Sequence, residues 1–331
     1  MEFIRQRFDG DSSQYNVLKL LGDASSRQYF RVVDDHGNSF VIAAYPEPFD
    51  IGQFTYHQVY LLLREVGLPV PEILAMDGSL GIVLQEDLGD ESLQRRLLTG
   101  DSKEGTGFLR QAVKLLIDIQ AKCSGLVKPN TDASRLAFDE EKLTWELHFF
   151  RRHYGGYRQI PFEPAEAISA EFEKLASALA SYPRFLCHRD YHVRNLMVKD
   201  EKLFIIDFQD ARQGPALYDL VSLLKDSIQL DAPHVNRLIS YYIRESRACG
   251  SQAPEVGESA LRRQFDLMTI QRLLKALGTY GYQITQRGNF IYEQYIEGSL
   301  NRALDALRTV EEFPYIHAIV EQEAARYQEK T

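Results

Sequence analysis

The chain has 331 residues, 44% hydrophobic and 26% charged, enough for two domains or one large two-lobed domain whose core needs no disulfide staples. A net charge of −9 argues against a nucleic-acid partner, no run approaches the roughly 18 apolar residues of a membrane span, and the charged start MEFIRQRFDGD lacks an apolar signal core. Cys123, Cys187 and Cys249 are odd in number and far apart, so they form neither a disulfide framework nor a ligand pair, and the expected setting is a reducing, cytoplasmic one.

In chain order, YNVLKLLG alternates and stops at Gly22, QYFRVVD follows, and the turn DHGN leads into FVIAAY. Aromatic and β-branched runs broken by Gly, Asn and Asp predict antiparallel strands. From Phe54 to Val66 the apolar residues Val59, Leu62, Leu63 and Val66 recur at helical spacing, and GLPVPE ends the helix. GIVLQEDLG is a further strand running into a glycine turn. Beyond Glu91 the pattern is helical, over 107–123, 136–152, 165–181, 217–229, 234–248, 258–279 and 298–311. The predicted class is α+β, with a small antiparallel β-rich lobe (1–86) joined by a short hinge to a larger helical lobe (87–331).

One stretch interrupts the helical half. Residues 187–208 read CHRDYHVRNLMVKDEKLFIIDF, two apolar runs joined by KDEK, which predicts a hairpin. His188-Arg189-Asp190 is followed by four residues and Asn195, and Asp207 ends the second run. Any one of these alone is an ordinary turn residue. Their joint order is that of a phosphoryl-transfer site: a carboxylate beside the attacking hydroxyl (Asp190), and an amide and a carboxylate (Asn195, Asp207) as hard oxygen ligands for Mg²⁺ on ATP.

HRDYHVRNLMV together with FIIDFQDARQGPALYDLVSLLKD resembles the aminoglycoside phosphotransferase and choline kinase superfamily, which has a protein-kinase-like fold. Within it the likeness is greatest to the bacterial anomeric kinases of N-acetylmuramate and N-acetylglucosamine of cell-wall recycling. It extends to GDASSRQYFRV, LPVPEILAMD, QEDLGDESL and QRLLKALGTYG, nearly the whole chain. The resemblance implies that Asp190 is the catalytic base and that Asn195 and Asp207 bind Mg²⁺. It implies a loop over the phosphates from Gly22 to Arg27, including Ser25 and Ser26, and an adenine-holding hinge at Glu86-Asp87-Leu88. Asp219 is expected to support the catalytic loop. Read without the resemblance, GDASSR has a single glycine and equally suits a turn of small residues.

The chain departs from that family at one point. The superfamily usually places a phosphate-binding lysine on the third strand, but no Lys or Arg occurs from Val32 to Leu63. Arg31 or Arg27 is the expected replacement, since either can grip phosphate bidentately. The same gap suits a pseudokinase that binds nucleotide without catalysis. On the acceptor side, Gln209, Asp210 and Arg212 follow the metal ligand and are expected to line the cleft floor, reading a sugar's hydroxyls or, through Asp210, an ammonium group of an aminoglycoside or amino alcohol. Trp145 suits a sugar-stacking role or, more simply, helix packing. Arg272 and Lys275 share a helical face that suits a lactyl carboxylate or is merely solvated. The expected partner is a small molecule, with neither nucleic acid nor membrane; the sequence does not reveal the oligomeric state.

Overall fold

The computed structural model describes residues 15–20, 27–100, 102–226, 228, 230–249 and 257–328. The expected phosphate-loop residues Gly22, Ser25 and Ser26 lie outside the described residues; Arg27 lies within them. The N-terminal part is a five-stranded antiparallel sheet, order β1-β2-β3-β5-β4, built from β1 (Tyr15–Leu20), β2 (Gln28–Asp34), β3 (Ser39–Ala44), β4 (Ile73–Asp77) and β5 (Ile82–Glu86). Register follows the period-2 pattern. Val32, Ile42 and Leu84 pack together on one face, while Ala43 and Val83 on the other join the main core with Tyr56, Val59 and Leu63 of helix α1 (Thr55–Glu65). β4 is not expected from the sequence: all five of its residues are half-buried, so it lacks the alternation that marks a strand.

The larger part is helical, and no described helix is long and apolar enough to cross a membrane. Helix α2 (Leu93–Thr99), absent from the sequence expectation, is capped by the Ser92 hydroxyl accepting from the Arg95 amide. Helices α3 (Ser102–Asp118), α4 (Glu140–Arg158), α5 (Ala165–Ala180) and α6 (Ala232–Ala248) follow; then come α7 (Glu258–Arg287), α8 (Ile296–Val310) and a second unanticipated helix, α9 (Pro314–Gln328). The central contact is α7 against α4. A Cβ at Gly278 would meet the Phe150 backbone at 2.8 Å, and one at Gly281 would meet the His153 carbonyl at 2.6 Å. Glycine there lets the helices touch backbone to backbone; within the two preceding turns Gln271 donates to Glu146 of α4, and Arg272 and Lys275 face Asp190. The helix expected over 217–229 is one turn (Tyr218–Val221) followed by a π-helical turn (Ser222–Asp226). That widening brings both Ser222 and Asp226 onto one guanidinium nitrogen of Arg272, at 2.8 and 3.0 Å.

Candidate active site

A cleft of about 1120 Å³ is lined by Arg27, Tyr45, Leu88, Asp190, Asn195 and Asp207 among others. Strand β6 (Arg184–Cys187) pairs with β9 (Arg212–Pro215) and delivers the chain to His188. The fully buried Asp219 carboxylate accepts the backbone N–H groups of His188 (2.6 Å) and Arg189 (3.0 Å). These bonds hold Arg189 at φ +84°, a conformation L-residues avoid, and so aim the next residue, Asp190, into the cleft. Burial pushes the Asp219 pKa up, against the pull of those two amides.

The hairpin β7 (Leu196–Lys199) and β8 (Lys202–Ile205) turns at Asp200 and Glu201, both at positive φ as a two-residue hairpin turn requires. Beyond it the Ile206 N–H donates to the Asn195 carbonyl, keeping the two strand ends together. Asp207 itself stands at φ +63°, and the Phe208 ring stacks on Tyr56 of α1 at 4.8 Å. The hairpin therefore brings Asn195 and Asp207 to one end of paired strands.

The residues present fit Mg²⁺. The Asn195 amide nitrogen donates to the Asp190 carbonyl (2.9 Å), which fixes the side chain so that its oxygen is the group left for a ligand role. Asp207 supplies a carboxylate one-third exposed in the same cleft. One amide and one carboxylate oxygen are the sparse, hard donor set this ion takes when phosphates complete its shell. Among the described residues no cluster of three His, Cys, Asp or Glu offers a softer site.

Asp190 is surrounded by cations. Burial disfavours its charge, but Lys275, Arg272 and Arg189 outweigh this and hold its carboxyl far below the usual range. Arg272 is 1% exposed and donates to Tyr218 Oη (2.7 Å), Ser222 Oγ, Asp226 and, at 3.4 Å, Asp190. It is a buried strut beneath Asp190, which corrects the solvated or substrate-facing role expected for it. Its helical neighbour Lys275 is half-buried, and burial among Arg272 and Arg189 lowers its pKa although Asp190 and Glu146 pull the other way.

Of the expected acceptor residues, Gln209 and Asp210 line the cleft, whereas Arg212 is buried on β9 and stacks on Phe138. Asp210 is engaged by Arg189 (3.1 Å) and Arg212 (3.6 Å). Trp145 is not a core residue: it is 54% exposed, stacked on Phe149, with the Lys142 ammonium 3.8 Å from its ring centroid. At the hinge, Glu86, Asp87 and Leu88 line the cleft, and Lys199 donates to the Glu86 carboxylate (2.6 Å) and the Asp87 carbonyl (3.0 Å). Lys199 carries no signal of this role in the sequence, because a lysine in a KDEK turn looks like any solvated turn residue.

His192 is buried beside Arg194, and both effects push its pKa down to about 4 from 6.5. The unfolded chain takes up this proton at the ordinary pKa and the native state only near 4, so stability is lost as pH falls through that window and no further below it. His192→Gln is expected to flatten the dependence of Tm on pH between about 6.5 and 4, read by calorimetry. An unchanged slope would mean that His192 titrates normally in the folded protein.

Comparison with known proteins agrees with this geometry. Residues 16–252 match the phosphotransferase enzyme family. The chain is 29% identical over 92% of its length to an N-acetylmuramate/N-acetylglucosamine kinase of Neisseria meningitidis, covering 90% of that protein. It is 32% identical over 82% of its length to a kinase of the same name from Pseudomonas aeruginosa, covering 78% of it. In structure it is similar to the choline kinase of Cryptosporidium parvum, with a TM-score of 0.63 at 12% identity, spanning 96% of this chain and 98% of that one, which speaks for the kinase-like fold alone. With two lobes around a cleft that collects Asp190, Asn195 and Asp207, and a family match over most of its length, the chain belongs to the phosphotransferase enzyme family.

Proposed function

We propose that the protein transfers the γ-phosphoryl group of ATP to the anomeric hydroxyl of an amino sugar, N-acetylmuramate or N-acetylglucosamine, in the cytoplasm, with residues 1–86 and 87–331 as the two lobes. The observation that carries this reading is the convergence of Asp190, Asn195, Asp207 and the hinge on one cleft. Asp190 takes the proton of the acceptor hydroxyl as that oxygen bonds to the γ-phosphorus and the bond to the ADP oxygen breaks. Asn195 and Asp207 would hold Mg²⁺, which would supply charge neutralisation to the transferring phosphate. Leu88 and its hinge neighbours border adenine.

The acceptor side supports a neutral or acidic sugar rather than a cationic amine. Asp210, the carboxylate that would seat an ammonium, is already paired with Arg189 and Arg212. Burial, with Arg189 nearby, lowers the pKa of both Lys142 and Lys275, while Glu146 pulls each of them the other way. An anomeric hydroxyl is more acidic than an ordinary alcohol, which eases its deprotonation by Asp190. Incubation with Mg-ATP and N-acetylmuramate, N-acetylglucosamine, choline or an aminoglycoside, followed by phosphorus NMR, is expected to show a sugar 1-phosphate. A 6-phosphate, or phosphorylation of the cationic acceptors alone, would overturn the reading.

A further inference from the structure

Among the described residues, two N-lobe cations line the cleft, Arg27 and Arg31, and the structure gives them different roles. Arg31 lies on β2, and its guanidinium grips Asp87 through two nitrogens, at 2.5 and 3.0 Å, and also Asp90. This fork is spent on the hinge: it ties the sheet to the segment that joins the lobes. Arg27 instead crosses the cleft. One nitrogen donates to Asp207 Oδ1 at 2.5 Å and another to Gln209 Oε1 at 2.9 Å, both in the opposite lobe. The β3 wall beside it, Val41 and Ala43 followed by Tyr45, carries no charge.

We propose that Arg27 is the residue through which the N-lobe contacts the nucleotide phosphates. The inference deepens the ATP-dependent reading above and rests on it. Phosphates bound over Asn195 and Asp207 lie within the reach of a side chain that already touches Asp207. The guanidinium is held in place for this contact. Its side chain is 12% exposed, and it stands 5.8 Å from the ring centroids of both Tyr29 and Tyr45. These rings limit its directions and shield its faces from water, which strengthens its pull on an anion in the cleft. Its planar fork suits two phosphate oxygens at once, as it now suits Asp207 and Gln209. Arg31 is thereby assigned to holding the hinge, which resolves the choice the sequence leaves open.

The test is calorimetric titration with ADP and with adenosine, both without divalent metal, so that neither turnover nor the metal enters the readout. In Arg27→Ala the affinity for ADP is expected to fall about ten- to a hundredfold while that for adenosine is unchanged, and Arg27→Lys is expected to restore part of the loss. Arg31→Ala is expected to weaken ADP and adenosine alike, because it frees the hinge. Arg27→Gln keeps hydrogen bonding to Asp207 without the charge and gives the same comparison if the alanine variant does not fold. Unchanged ADP affinity in the Arg27 variants overturns the assignment, as does a parallel loss of adenosine. Wild-type protein that binds adenosine but gains nothing from the ADP phosphates also overturns it, leaving the hinge reading intact. Wild-type protein that binds neither ligand overturns the ATP-dependent reading with it.

Discussion

Asp190→Asn is expected to lower kcat by about 10²- to 10⁴-fold while nucleotide affinity is retained, measured by coupled ADP release and by ADP titration. The amide keeps the shape of the side chain and the cation-lined niche but cannot accept the acceptor's proton. The niche itself favours the ionised carboxylate: burial opposes its charge, but Lys275, Arg272 and Arg189 outweigh it. A loss shared equally by ADP affinity and kcat would point to collapse of the loop rather than removal of a base. A kcat within about tenfold of wild type would remove Asp190 from the chemical step.

The largest effect on stability is expected at Arg272. Replacing it with Met, of similar length, is expected to destabilise the protein by about 3–5 kcal/mol in denaturant titration, because it strips a buried carboxylate of its counter-charge. Asp226, 12% exposed, loses its ion pair, Tyr218 Oη and Ser222 Oγ lose their donor, and Asp190 loses one of three cations. Much of this penalty is an uncompensated charge rather than lost packing. Arg272→Met combined with Asp226→Leu is therefore expected to recover a substantial part of the stability, since apolar replacement of a whole buried pair is often neutral. It should not recover full activity, because the strut under Asp190 is still missing. A double variant no more stable than the single one would place the energetics in packing of α7 against the π-helical turn.

The lobes, the hairpin and the trio Asp190, Asn195 and Asp207 were legible because each rests on local pattern. Alternation marks the strands, helical periodicity marks α1 and α3 to α8, and the spacing of acidic residues around LMVKDEKLFII marks the hairpin. What escaped has no local signature. β4 is half-buried throughout, and the π-helical turn within 217–229 sets Ser222 and Asp226 against Arg272, some 50 residues away in sequence. The role of Lys199 at the hinge depends on a partner 113 residues away.

By itself, the order of residue types determined the reaction class and the two-lobed α+β plan and singled out Asn195 and Asp207 as candidate metal ligands, because ligand chemistry and hydrophobic period are properties of neighbours along the chain. Only the tertiary structure decided which arginine stands where. Arg27 and Arg31 are four positions apart and equally able to hold phosphate, yet one is spent on Asp87 at the hinge and the other reaches Asp207 across the cleft. In the same way Arg272 and Lys275 share a helical face, but the close contact of α7 with α4 buries the first as a strut and leaves the second half-buried near Asp190. A charged side chain takes its function from the counter-charge it meets, and that partner comes from a distant part of the sequence.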